Sequence, residues 1–196
     1  MVNIGDRLSP DFTDPLGLLS DCHRRIERFL SVLMAVTEQG RGAALDSTQR
    51  DALVSALRYF REAAPKHTSD EETSLFPRLR ALSDPRVQAA FDTIQMLEAD
   101  HQVANLDHAE VERLCERWLA EGRLAAGAVR ELAGRLHELR ALYQHHIAIE
   151  DTRIFPLARE LLAADAIAQI GDEMAHRRGI PTAGVAAHAS GADREH

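Results

Sequence analysis

The sequence predicts an all-α fold: an up-and-down four-helix bundle made of two repeated helical hairpins, followed by a short C-terminal helix and a tail. Three observations carry this expectation. Ala, Leu, Arg and Glu dominate the chain while Gly and Pro are modest, a composition that favours helix. Apolar residues recur every three or four positions in four long stretches. One stretch is also written twice: His67-Thr68-Ser69-Asp70-Glu71-Glu72-Thr73-Ser74-Leu75-Phe76-Pro77 returns as His146-Ile147-Ala148-Ile149-Glu150-Asp151-Thr152-Arg153-Ile154-Phe155-Pro156.

The 196 residues suffice for one domain with a sizeable core. Apolar residues at 45% and charged residues at 28% are a balance typical of soluble chains. A net charge of -8 argues against nucleic acid or an anionic membrane as a general partner. Cys22 and Cys115 are too few and too far apart for a disulfide framework. No apolar run is long enough to span a membrane, and the polar start lacks the regions of a signal peptide. The expected location is the cytoplasm. Ten histidines are the compositional oddity.

Residues 1–13 read as an arm. Asp14-Pro15 is a helix start, an Asp cap before a Pro at the first helical position. The first helix, roughly 15 to 38, carries Leu16, Leu19, His23, Ile26, Leu30 and Leu33 on one stripe. Gly40-Arg41-Gly42 stops it. Asp46-Ser47-Thr48 caps the second helix, whose stripe is Leu53, Ala56 or Leu57, and Phe60. Pro65 predicts a kink or a restart, with His67 and Glu71 just beyond. Asp84-Pro85 opens a long third helix, about 85 to 120, with Val87, Phe91, Ile94, His101, Ala104, His108, Val111, Cys115 and Trp118 in line. Gly122 ends it. A fourth helix begins near Ala125 to Val129, carries Leu132, Leu136, Leu139, Leu142 or Tyr143, and His146, and runs on towards Leu162. Residues 165–177 predict a short fifth helix. From Gly179 the composition predicts a tail holding His188 and His196. The domain reading is therefore a bundle over 14–162, then a helix and tail over 163–196.

The repeat exceeds the doubled stretch. Leu19-Ser20-Asp21-Cys22-His23 is similar to Leu97-Glu98-Ala99-Asp100-His101, and the spacings His23 to His67 and His101 to His146 are 44 and 45 residues. Each unit is a helix with a central His, a loop, and a helix with His-x3-Glu. Four residues make about one helical turn, so the imidazole and carboxylate of each pair share a face. A lone His on an apolar stripe is ordinarily a satisfied core side chain. Four at matched depth, two of them with Glu one turn on, point to a metal site built between facing helices. Imidazole and carboxylate suit iron, manganese or zinc rather than copper(I) or a sulfur cluster.

His23, His67-x3-Glu71, His101 and His146-x3-Glu150, with the Leu75-Phe76-Pro77 and Ile154-Phe155-Pro156 trailers, resemble the hemerythrin-like, or HHE cation-binding, family over about residues 14 to 162. The resemblance implies a four-helix bundle holding two iron atoms joined by an oxo or hydroxo bridge. It implies His23, His67, His101 and His146 as terminal ligands and Glu71 and Glu150 as bridging carboxylates. Manganese and zinc are accepted by the same donors. Oxygen-carrying hemerythrin has His-x3-His on its third helix; here Asn105 follows His101, and His108 lies about 10 Å further along the axis. In the last helix its pattern is His-x4-Asp, which Asp151 matches; the internal match to Glu71 favours Glu150. Two histidines, two glutamates and a bridging oxygen make about five ligands for each metal. One open position on each favours reaction with a small ligand over reversible carriage.

The resemblance thus implies a non-haem di-iron protein that binds or reacts with O2, peroxide or nitric oxide. The alternative is an iron, oxygen or redox sensor without turnover, with residues 165–196 as reporter. Whether the chain forms a homo-oligomer stays open. Tyr143 and Tyr59 are candidates to reach the site. Glu98 is a candidate acceptor for a ligand histidine. Asp70 and Glu72 are expected to be solvated flanks of the ligand face. Cys22 and Cys115 are expected in the core, and His176 on the surface.

Overall fold

Asp14 starts the first helix as expected, its carboxylate accepting from the Gly17 N–H at 3.2 Å ahead of Pro15. The computed structural model describes residues 11–181; the expected arm lies largely, and the tail histidines His188 and His196 wholly, outside the described residues. The described residues are helical with no strand. The order is α1 (Pro15–Gly40), α2 (Ser47–Glu62), α3 (Ala64–Ser69), a π-helical turn (Asp70–Leu75), α4 (Phe76–Arg80), α5 (Pro85–Gln88), α6 (Phe91–Glu121), α7 (Ala126–Ile149), a second π-helical turn (Glu150–Ile154), α8 (Phe155–Leu161) and α9 (Ala164–Arg177). No helix among the described residues is long and apolar enough to cross a membrane.

Local chemistry explains these boundaries. Asp46 and Gln49 form a reciprocal capping box at the start of α2, which satisfies two otherwise unpaired backbone donors. Pro65 restarts the helix as α3 rather than kinking a continuous one. The expected single helix over 85–120 is instead two. Asp84 caps α5, and the chain turns at Ala89-Ala90 before α6 begins. That turn changes the register of the stripe. Ala90 takes the buried position between Val87 and Ile94, and Phe91 is left exposed.

The two π turns occupy equivalent places in the repeat. Phe76 N–H donates to Glu71 O, and Phe155 N–H to Glu150 O, each reaching five residues back. Pro77 and Pro156 follow at once. A Pro ring crowds the carbonyl four residues earlier in a regular helix, and the wider turn relieves that contact. Thr73 and Thr152 add matching bonds to Ser69 O at 2.6 Å and Ala148 O at 2.5 Å. The widening starts at the glutamate, so His and Glu stay on one face. Beyond it two consecutive large side chains are buried, Leu75-Phe76 and Ile154-Phe155.

Helix α6 lies against α7, α1 against both α2 and α7, and α2 against α6. The apolar interior is two clusters. One holds Leu30, Leu33, Leu53, Trp118, Leu132 and Leu139, and the other Leu16, Leu19, Phe76, Ile94, Leu97, Phe155, Ile170 and Met174. Each long segment runs from one cluster to the other, and the sense alternates. Leu19 leads through His23 to Ile26, Phe60 through His67 to Leu75, Leu97 through His101 to Ala104, and Tyr143 through His146 to Ile154. A polar layer is therefore held between two apolar ones.

Away from that layer the two inter-helix loops are joined. Leu124 N–H donates to Gly42 O at 2.9 Å, and the Trp118 indole N–H to Ala43 O at 2.8 Å. Gly42 has φ +77, and a Cβ there would sit 2.3 Å from Leu124 O. Gly42→Ala should therefore cost about 1–3 kcal/mol, read as a lower midpoint in urea unfolding. An unchanged midpoint would show that this junction yields freely.

Helix α9 packs on α1 and on the first π turn. Asp70 is fully buried there, with Arg177 Nη1 at 2.7 Å and Arg178 Nη2 at 2.6 Å. This corrects the expectation of a solvated Asp70. A charge is buried only when paired, and its partners come from a helix far along the chain.

Candidate metal centre

The polar layer holds all six residues singled out in the sequence, and all six are buried. Helix α1 supplies His23, α3 His67, α6 His101 and α7 His146, while the two π turns supply Glu71 and Glu150. They fall into two groups of possible metal-holding side chains: His23, His67, Glu71 and Glu150, and Glu71, His101, His146 and Glu150. Within each group the ligand atoms lie within 4.8 Å of one another. Both glutamates belong to both groups.

The carboxylates straddle the two halves. Glu71 Oε1 is 3.3 Å from His67 Nε2 and 3.7 Å from His23 Nε2, while its Oε2 is 3.4 Å from His101 Nε2. Glu150 Oε2 is 3.1 Å from both His23 Nε2 and His146 Nε2. Proximity is not hydrogen bonding here. Both oxygens of each glutamate, and His23 Nε2, are buried and lack a hydrogen-bond partner of proper geometry. Buried carboxylates left in that state are costly. A cation set between the oxygens and the imidazole nitrogens satisfies them all, so the donor set fits a metal.

Three of the four imidazoles are held from behind. His23 Nδ1 is 3.1 Å from Asp151 Oδ1, His101 Nδ1 is 2.9 Å from Glu72 Oε1, and His146 Nδ1 is 3.3 Å from Asp100 Oδ2. Such contacts fix the tautomer that presents Nε2 to a metal. Asp151 thus lies behind His23, outside both four-residue groups. Glu72 is half-buried and has this supporting place, which corrects its reading as mere solvated surface. Glu98, a candidate acceptor for His101, is instead paired with Arg80 at 2.6 Å. An acceptor behind a helical His comes from the facing helix or the residue beside a neighbouring ligand, and spacing along its own helix does not reveal it.

A cavity of about 40 Å³ adjoins the four histidines and is walled by Ile26, Phe60, Pro65, Asn105, His108 and Tyr143 among others. It has room for a very small molecule. His108 is outside the ligand groups; its Nε2 and the Tyr143 hydroxyl share a 2.8 Å hydrogen bond on the cavity wall. Burial lowers His108 to about 4, so its imidazole is neutral. Asn105 is an exposed residue at the cavity's rim. Tyr59 is turned away and donates to Cys22 O at 3.3 Å. Cys22 and Cys115 are buried and free, and His176 is exposed, as expected.

Two of the imidazoles that face the buried carboxylates are raised well above the ordinary histidine value. Burial opposes a charged His23, but Asp151, Glu150 and Glu71 override it and raise the imidazole to about 12. Burial also opposes a charged His101, which Glu71 and other carboxylates raise to about 9. His67 is lowered, because burial outweighs Glu71. Burial disfavours ionised Glu71, yet the surrounding histidines hold it well below the usual carboxylate range. A metal needs neutral imidazoles, so its binding must expel the protons on His23 and His101. Loading at neutral pH should therefore release protons. Apparent affinity should rise with pH above the ordinary histidine value of 6.5, and the share due to His101 should end near 9. Proton release in weakly buffered solution measures this, and a release near zero would contradict it.

The family model described as "Hemerythrin HHE cation binding domain" matches residues 14–158. A protein of Haemophilus influenzae described as uncharacterized is 27% identical over 169 residues, 86% of this chain and 92% of that protein. The matched span holds all six clustered histidines and glutamates together with Glu72, Asp100 and Asp151. The chain belongs to the hemerythrin HHE cation-binding domain family.

Proposed function

We propose that the protein is a non-haem di-iron protein whose carboxylate-bridged centre binds or reacts with O2, peroxide or nitric oxide. The single observation that carries this reading is that two four-residue ligand groups share both glutamates, whose buried oxygens have no hydrogen-bond partner. Glu71 and Glu150 would each serve both metals, and His23, His67, His101 and His146 would hold them from the sides. The alternating passage of the four long segments between two apolar clusters supports an up-and-down bundle over 14–162, with 163–196 appended.

When bound, the metal pair supplies redox chemistry towards a small ligand. The chain's residues do the rest. Asp151, Glu72 and Asp100 orient His23, His101 and His146. Ile26, Phe60 and Pro65 keep the adjoining cavity small and mostly apolar. Tyr143, held by neutral His108, places a hydroxyl in that cavity, where it can offer a hydrogen bond to a guest. The donors also accept manganese or zinc, so metal identity must be measured. Anaerobic loading with ferrous iron should give about two metals per chain and optical changes on exposure to O2, peroxide or nitric oxide. Content well below one metal per chain, or an inert loaded protein, would contradict the reading.

The sensor reading is favoured by one observation. Asp70, beside Glu71, is gripped by Arg177 at the end of α9 and by Arg178 just after it. A change at the centre would then reach α9 directly. Faster amide exchange in α9 on metal removal would support this reading, whereas exchange confined to the ligand helices would argue against it.

A further inference from the structure

The repeat makes the two halves of the centre comparable residue by residue. His23 corresponds to His101, His67 to His146, and Glu72 to Asp151. The supporting contacts obey the same exchange: Asp151 lies behind His23 as Glu72 lies behind His101. The second pair of histidines does not. Asp100, the residue before His101, lies 3.3 Å from His146 Nδ1. The equivalent residue before His23 is Cys22. Among the described residues no carboxylate is accordingly paired with His67 Nδ1, which is buried without a hydrogen-bond partner.

We infer that Cys22 makes the centre unequal, so that the His23/His67 half holds its metal more weakly than the His101/His146 half. The inference rests on the metal-centre reading above. A carboxylate behind a ligand imidazole orients the ring and strengthens its donor nitrogen; losing such a partner typically costs about tenfold to a hundredfold in metal affinity. The two halves have other features in common. Both share Glu71 and Glu150, and each has one imidazole supported from the opposite π turn. The difference lies in Asp100 on one side and Cys22 on the other. Asp100 is thus a positioning residue for His146, and His67 lacks its counterpart. The His23/His67 position is the last to fill and the first to empty.

The test is to crystallise metal-free protein with one equivalent of manganese(II) and measure anomalous scattering at each half. The expected result is manganese at His101/His146 in about tenfold or greater excess over His23/His67. Asp100→Ala, at a partly exposed side chain, should bring the two occupancies towards equality by weakening the stronger half. Cys22→Asp should bring them towards equality by strengthening the weaker one. Equal occupancy in the unaltered protein, a preference for His23/His67, or a ratio unmoved by Asp100→Ala would overturn the inference and leave the metal centre standing. No manganese at either position would overturn the metal-centre reading and this inference with it.

Discussion

Glu71→Ala is expected to abolish the paired centre, and Glu150→Ala to do the same. Each glutamate belongs to both ligand groups, so truncating either strips an oxygen donor from both metals at once. It also leaves two cations with less negative charge between them. Metal content should fall from about two per chain to one or less, and magnetic coupling between metals should vanish. The two variants should behave alike, because the repeat puts their carboxylates in equivalent π turns. Asp151→Ala is the control. Asp151 lies behind His23, so its loss should weaken binding by about tenfold to a hundredfold while the pair still forms at high metal concentration. Iron analysis with Mössbauer spectroscopy separates these outcomes. A coupled pair in Glu150→Ala, with its loss in Asp151→Ala, would give the bridging role to Asp151.

The double variant Arg177→Ala, Arg178→Ala should lose about 3–5 kcal/mol of stability, the usual cost of leaving a buried charge unpaired. Asp70 is fully buried, and among the described residues its carboxylate accepts only from these two guanidiniums. Arg177 also bonds the side chains of Thr73 and Ser74, so the same change loosens the turn that presents Glu71. Asp70→Asn should cost less, because an amide tolerates burial better than an unpaired carboxylate, and the partly exposed arginines can turn to water. Urea midpoints of the metal-free proteins give the comparison. If the double variant unfolds at the same midpoint as the parent, the clamp contributes nothing and the sensor reading loses its physical basis.

What could be read in advance followed from periodicity. His23 and His101 stand one turn from Leu19 and Leu97 on buried stripes, and His67 and His146 stand one turn from their glutamates, so a helical repeat places all six residues at one depth. Asp14, Asp46, Gly122 and Pro65 acted as helix punctuation where expected. Features set by non-local or irregular geometry were not legible in this way. Asp70 looked like a solvated charge because its partners, Arg177 and Arg178, are brought to it only by the docking of α9. Glu98 was one helical turn from His101, but the acceptor it seemed to be was Glu72 from another element. The π turns are not legible in periodicity because a five-residue bond leaves no periodic trace over a single turn. Their one sequence signal is the repeated Phe-Pro after each glutamate, which by itself does not distinguish a widened turn from a local disturbance of the helix. The broken start of α6 is not legible because Val87, Phe91 and Ile94 fit a continuous stripe as well as Val87, Ala90 and Ile94 do.

The most direct measurement of the central claim is a crystal structure of the anaerobically iron-loaded protein with diffraction recorded on both sides of the iron absorption edge. Two anomalous peaks are predicted in each chain. One should lie among His23, His67, Glu71 and Glu150, the other among Glu71, His101, His146 and Glu150, with both glutamates spanning the pair. A single peak, iron held by residues outside this set, or an empty layer in a protein shown to have been exposed to excess ferrous iron would contradict the di-iron account.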